Sequence, residues 1–226
     1  MSNLVPKEQI RSRIAKRIAD EFMSQSRTMI INLGVGIPTL VADYIQSDQI
    51  FFQAENGMLG VGPKAEGEAI DRRLINAGRD PVTETPGCSY FDSATSFGMI
   101  RGGHVDATVI GAFEVDQLGS IANWIIPNGR QLGVGGAMDL VSGARQVVVA
   151  MRHTDSKGRS KLVSSCQLPV TGVQEVDLVV TELAVFRFVE GVMILEEIAP
   201  EVDQQTLLDM TEANFQISPT LKTMIG

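Results

Sequence analysis

The chain has little of what several functional classes require. Its two cysteines, Cys88 and Cys166, lie far apart, so a disulfide framework or a cysteine-ligated metal site lacks its residues. Free thiols in a reducing compartment are the expectation. The two histidines, His104 and His153, show no metal-ligand spacing either, so no metal is expected. Basic residues are outnumbered, 19 Lys and Arg against 27 Asp and Glu, for a net charge of −8. That balance argues against a nucleic-acid surface, which needs a dominant basic patch. No apolar run approaches the ~20 residues of a membrane-spanning helix. The N-terminal Met1-Ser2-Asn3-Leu4-Val5-Pro6-Lys7 has no signal-peptide core. A cytoplasmic protein that binds neither nucleic acid nor membrane is the expectation. No repeat, linker or low-complexity segment breaks the chain, so residues 1–226 read as a single domain with a buried core. Aromatics are scarce at 5%, whereas 22 glycines suit a fold with many backbone-built loops.

What is present alternates between helix and strand periodicity. Ile10, Ile14, Ile18 and Phe22 recur every fourth residue among charged neighbours, predicting a helix over 7–23. Met29 to Leu33 reads as a strand, Gly34-Val35-Gly36-Ile37 as a glycine loop, and Pro38 as the first turn of a helix through Tyr44. A second strand begins at Ile50, completing a βαβ unit whose two strand ends open on one edge of a parallel sheet. Val82-Thr83-Glu84 reads as a short strand ended by Pro86-Gly87, and Asp92 as the cap of a helix to about Ile100. Ala107 to Val115 has the unbroken apolar character of a central parallel strand. Further strands are expected at 145–151 and 176–180, then a hairpin turning at Glu190-Gly191 and a closing helix over 206–212. The expected fold is α/β: a single open, mostly parallel sheet flanked by helices, with a C-terminal β-hairpin.

The stretch with most chemical promise is Phe51-Phe52-Gln53-Ala54-Glu55-Asn56-Gly57. An apolar strand stops at a carboxylate followed at once by Asn-Gly, a strong turn dipeptide, so Glu55 is presented at the strand's tip. Gly60, Gly62 and Pro63 then keep the backbone irregular. From spacing alone, the favoured reading of Glu55 is a solvated loop acid before a hairpin turn. Gly133-Val134-Gly135-Gly136-Ala137 is a second glycine-rich segment, readable as a connector or as backbone that approaches a ligand closely.

Gln53-Ala54-Glu55-Asn56-Gly57 with its Gly60-x-Gly62-Pro63 tail resembles the Ser-Glu-Asn-Gly signature of the beta subunit of family I CoA-transferases, the 3-oxoacid or acetoacetate type. Asn32 to Thr39, Leu74 to Gly78, Met99 to Asp106, Ala122-Asn123-Trp124, Gly135 to Val141 and Thr181 to Phe186 resemble further blocks of that family, in its order. The resemblance implies that Glu55 is the catalytic nucleophile of a CoA-transferase. It attacks an acyl-CoA thioester, becomes a glutamyl-CoA thioester, and passes CoA to a second carboxylic acid with ping-pong kinetics. It implies thioester or oxyanion contacts from Asn56, Gly135 and Gly136, and substrate or CoA contacts from Asn32, Gly34, Gly36 and Arg79. No permanently bound cofactor is implied, coenzyme A being a substrate that is covalently attached in passing. Succinyl-CoA or acetyl-CoA with acetoacetate or another short acid would be the substrates. A separate alpha subunit is implied as partner, in an α2β2 heterotetramer. The sequence departs from the family at Ala54, where Ser is usual, and at Arg130-Gln131-Leu132, where Lys is common. An acyl-CoA hydrolase using the same glutamate and a non-catalytic acyl-CoA binding chain are the alternatives.

Overall fold

The computed structural model describes residues 4–127, 129 and 133–225. Arg130, Gln131 and Leu132, one of the two departures from the family, therefore lie outside the described residues. The parallel heart of the fold consists of β1 (Met29–Leu33), β2 (Ile50–Ala54), β5 (Ala107–Ile110), β8 (Val147–Ala150) and β10 (Leu178–Val180). Across the sheet these strands lie in the order β10-β8-β5-β1-β2, all parallel. Beyond β2 come β3 (Met58–Lys64) and β4 (Val82–Tyr90), both antiparallel to their neighbours. Beyond β10 come β11 (Ala184–Val189) and β12 (Val192–Ile198), the expected hairpin, with β13 (Gln216–Thr223) at the far edge. A second, three-stranded sheet adds β6 (Glu114–Asp116), β7 (Ile121–Ala122) and β9 (Leu162–Val163).

The helices follow from periodicity and caps. α1 (Lys7–Met23) buries Ile10, Ile14, Ile18 and Phe22 in the main core. Its polar side is tied down by half-buried charge pairs: Arg17 binds Glu197 and Glu21, and Arg187 binds Glu21 and Glu196. α2 (Ser93–Arg101) begins where the Asp92 carboxylate accepts from the Thr95 N–H at 2.8 Å. α3 (Ala137–Gly143) follows the glycine-rich segment, and α4 (Gln204–Met210) is capped by Asp203. Among the described residues no helix is long and apolar enough to cross a membrane.

Several element boundaries differ from those expected. β4 runs straight through Pro86 and Gly87 because it is an edge strand, where a missing N–H leaves no ladder bond unmade. Gly60, Gly62 and Pro63 belong to β3, and the irregularity expected of them appears as register shifts against β4. The apolar run Ala107 to Val115 is two strands, since the chain leaves β5 at Gly111 and enters the second sheet as β6. The segment 206–212 does not close the fold: β13 follows it, largely exposed and polar, which conceals a strand from a hydrophobic pattern.

The topology positions the site. From β1 the chain crosses to β2 on one side and later returns to β5 on the other, so the strand order reverses between β1 and β5. At such a switch point the carboxyl ends of the strands open a crevice. The ends of β1 and β2 supply Asn32, the Gly34–Gly36 loop and Glu55.

Candidate active site

Glu55 sits in a tight turn whose Gly57 N–H donates to the Ala54 carbonyl at 2.9 Å. Gly57 has φ +122, and a methyl there would drive into the Phe91 carbonyl. Only glycine fits at that point. Phe91 in turn donates its N–H to the Gly57 carbonyl at 3.0 Å, fastening the turn to the entry of α2. The carboxylate is thus carried on a rigid corner and is only partly exposed.

Asn32 is fully buried on β1 and is the register partner of Gln53 on β2. Its Nδ2 donates to Glu55 Oε2 at 3.1 Å, to Gln53 Oε1 at 2.8 Å and to the Gln53 carbonyl at 3.1 Å. Gln53 Nε2 donates to Ser96 Oγ on α2 at 3.0 Å, with both residues buried. On the opposite flank is Gly136, where a Cβ would stand 3.2 Å from Glu55 Cγ and 3.2 Å from Phe97 Cζ. The Gly136 backbone is therefore packed directly on the glutamate. Neither the Gly135 nor the Gly136 N–H has a hydrogen-bond partner among the described residues. Gly135 adopts φ +51.

The remaining expected residues are more dispersed. Gly34 N–H is spent on the Val109 carbonyl at 2.8 Å, drawing β1 close to β5. Gly36, at φ +100, lines a cavity of about 380 Å3 beside Glu55's strand, with Val35, Phe52, Ala54, Pro63 and Asn76. Ala54 packs with Met58 and Val82, so the position where the family has a hydroxyl is apolar here. The Asn56 amide does not reach Glu55: its Nδ2 donates to the Ile75 carbonyl at 2.9 Å. It braces the loop in which Asn76 accepts the Arg79 and Asp80 N–H groups. Arg79 is exposed at φ +67, and its guanidinium makes no ion pair among the described residues. Lys64, at the cavity wall, pairs with Asp80 at 3.2 Å.

Ser96 and Phe97 escaped the sequence reading, and Gln53 entered it only as part of the Glu55 stretch, with no role of its own. The usable signal was a lone amide inside an apolar strand, two residues before the acid and therefore on its face. Among the described residues no group of His, Cys, Asp and Glu is arranged to hold a metal ion. The site is a carboxylate on a rigid turn, held by one amide donor, beside a glycine backbone whose N–H groups make no hydrogen bond among the described residues. Such a site suits nucleophilic attack on an activated acyl group.

A coenzyme A transferase family model matches residues 7–209. The B subunit of a probable succinyl-CoA:3-ketoacid coenzyme A transferase from Bacillus subtilis is 45% identical over 215 residues, covering 95% of this chain and 98% of the relative. The beta subunit of an acetate CoA-transferase from Escherichia coli K12 is also 45% identical, covering 96% of this chain and 98% of the relative. The crystal structure of an acyl-CoA transferase apoenzyme from Escherichia coli O157:H7 superposes with a TM-score of 0.73 at 22% identity. It covers 96% of this chain and 43% of that longer one, a likeness of fold alone. The fold is an α/β architecture shared with that acyl-CoA transferase, and the family match with the two relatives makes this a transferase of coenzyme A. The chain belongs to the coenzyme A transferase family and is a CoA-transferase chain of the B, or beta, type.

Proposed function

We propose that this chain transfers CoA between an acyl-CoA and a free short-chain carboxylic acid through a glutamyl-CoA thioester on Glu55. The observation that carries the reading is the Asn32 Nδ2 contact to Glu55 Oε2, which holds one carboxylate oxygen. The other, Oε1, makes no hydrogen bond among the described residues. Oε1 attacks the acyl-CoA carbonyl, and collapse of the tetrahedral adduct expels CoA thiolate and leaves a glutamyl–acyl anhydride. The thiolate then attacks the Glu55 Cδ, releasing the donor acid as its carboxylate and forming the glutamyl-CoA thioester. The acceptor carboxylate repeats both steps in reverse, so no net proton and no nucleotide are consumed. The N–H groups of Gly135 and Gly136, which make no hydrogen bond among the described residues, are suited to the oxyanions of these adducts, a type of contact typically worth ~2.7–4 kcal/mol.

The donor in this reading is succinyl-CoA or acetyl-CoA and the acceptor acetoacetate or another short acid, supported by relatives whose names give succinyl-CoA with a 3-ketoacid in one case and acetate in the other. Gly36 lines the cavity beside the nucleophile's strand and Gly34 ties β1 to β5 next to it, so both serve the substrate side of the site in this reading, and Arg79 offers a guanidinium to the phosphates of CoA, offsetting the chain's acidity. Relatives named as B or beta chains of their enzymes support a separate alpha subunit, assembled here as an α2β2 heterotetramer that completes the acid pocket. In the co-expressed pair, Glu55→Ala is expected to abolish exchange between succinyl-CoA and acetoacetate and to remove the borohydride-sensitive adduct at that residue. Exchange at the wild-type rate in that variant would sink the reading.

A further inference from the structure

Asn32 has a choice of two amide orientations, and its surroundings allow one. Three acceptor oxygens, Gln53 Oε1, the Gln53 carbonyl and Glu55 Oε2, converge on Nδ2 within 3.1 Å. A flipped amide would set Oδ1 against all three. The same orientation leaves Oδ1 buried with no partner among the described residues, as is Thr108 Oγ1, whose residue is the register neighbour on β5. A buried acceptor without a partner is unfavourable. In this orientation the amide spends its donor side on Glu55 and Gln53.

What holds it there is one step further from the glutamate. Gln53 can point Oε1 at Asn32 only while its Nε2 has somewhere else to donate, and Ser96 Oγ supplies that place at 3.0 Å. Gln53 is 2% exposed and Ser96 is fully buried, so water does not compete for either. Ser96 is itself placed by the Asp92-capped first turns of α2. The polar chain runs Ser96, Gln53, Asn32, Glu55, from the helix through two strands to the nucleophile.

We infer that Gln53, seated by Ser96, is a positioning residue for the transfer reaction: it fixes the amide of Asn32 so that Nδ2 is aimed at Glu55 Oε2. This rests on the glutamyl-CoA reading above. With the amide fixed, Oε1 is left as the attacking atom. The glutamyl carbonyl oxygen formed later keeps its donor through both halves of the ping-pong cycle. Without Gln53, Asn32 is free to turn, and Glu55 loses that donor for part of the time.

The test is a double-mutant cycle in the co-purified subunit pair, measuring succinyl-CoA to acetoacetate exchange for wild type, Gln53→Met, Asn32→Ala and the combination. Gln53→Met is expected to lower kcat about 10- to 100-fold, the scale of small misplacements at a reacting centre, with KM for both substrates held within about twofold. In the Asn32→Ala background the same change should add nothing, because the residue acts only through that amide. Full additivity, or a Gln53→Met kcat within about twofold of wild type, overturns the inference. Ser96→Ala approaches the chain from its far end and keeps the test decisive if Gln53→Met does not fold. It should lower kcat less, and also without effect in the Asn32→Ala background, while an additive loss there would count against the chain. Glu55→Ala is assayed alongside. Activity in that variant defeats the glutamyl-CoA reading itself, whereas an inactive Glu55→Ala with an additive cycle defeats only the role of Gln53.

Discussion

Gly136 lies so close to the methylenes of Glu55 that a Cβ there would stand 3.2 Å from Glu55 Cγ, tight enough that the glutamate must shift to admit it. The same Cβ would meet Phe97 at 3.2 Å, so the added methyl has no direction in which to yield freely. Gly136→Ala is expected to move the carboxylate rather than unfold the chain. A displacement of about 1 Å at a reacting group can cost ~100-fold in rate. Steady-state exchange assays should therefore show kcat down by about that factor, while the thermal midpoint stays near wild type. An unchanged kcat would mean that Glu55 is not the reacting group or that its position is slack.

Asn56 offers a discriminating substitution. Its Nδ2 is engaged by the Ile75 carbonyl, which makes it a brace between the Glu55 turn and the loop carrying Arg79. Removing an exposed hydrogen bond of this kind is worth about 0.5–1.5 kcal/mol. Asn56→Ala is expected to raise KM for the acyl-CoA about 2- to 12-fold, that energy expressed as affinity, with kcat little changed. A large fall in kcat with KM unaltered would instead assign Asn56 to the oxyanion, as its place in the motif suggests.

Gly57 tests the rigidity of the corner. At φ +122 and against the Phe91 carbonyl, alanine is strained in both backbone and contact, so Gly57→Ala should cost more than about 1 kcal/mol of stability. Urea unfolding of the purified chain would measure it. A loss near zero would show that the turn relaxes and that the corner is less rigid than its hydrogen bonds suggest.

Stability should fall with acidity through His153. This imidazole is fully buried, with Nδ1 against Thr181 Oγ1 at 3.1 Å and Nε2 against Thr211 Oγ1 at 3.0 Å. Burial pushes it down to about 4 from an ordinary 6.5. The unfolded chain therefore binds the proton first. The stabilisation is complete above pH 6.5 and is lost as pH falls from there toward 4, up to on the order of 3 kcal/mol. The carboxylates of Glu21 and Asp106, held low by Arg187 and Arg27 against the opposing effect of burial, add losses of the same sign at lower pH. Comparing urea midpoints at pH 7.5 and 5 for wild type and His153→Gln should give a flatter dependence in the variant. Equal slopes would remove His153 from the account.

Much of this molecule was legible in local patterns, and the failures share a cause. The four-residue spacing of Ile10, Ile14, Ile18 and Phe22 marks α1 to its last residue because a helix face is a local property. Asp92 likewise announces α2, since a cap and its amide lie three residues apart. Pro86 misleads because its cost depends on whether the strand has a neighbour on that side, and among the described residues β4 has none. Ala107 to Val115 misleads because a hydrophobic run records burial, not direction, and the chain turns at Gly111 into another sheet.

By itself, the amino-acid order determined that a carboxylate would end a buried strand on an Asn-Gly turn, and that the surrounding elements would alternate into an α/β sheet. Those are consequences of neighbours within a few residues. Only the tertiary structure decided what touches that carboxylate: Asn32 from the adjacent strand, Gly136 from a segment some eighty positions later, and Gln53 locked by Ser96. Hydrogen bonds and steric contacts act across a few ångströms of space. The distance along the chain that separates their partners is set by strand order, which no local pattern encodes.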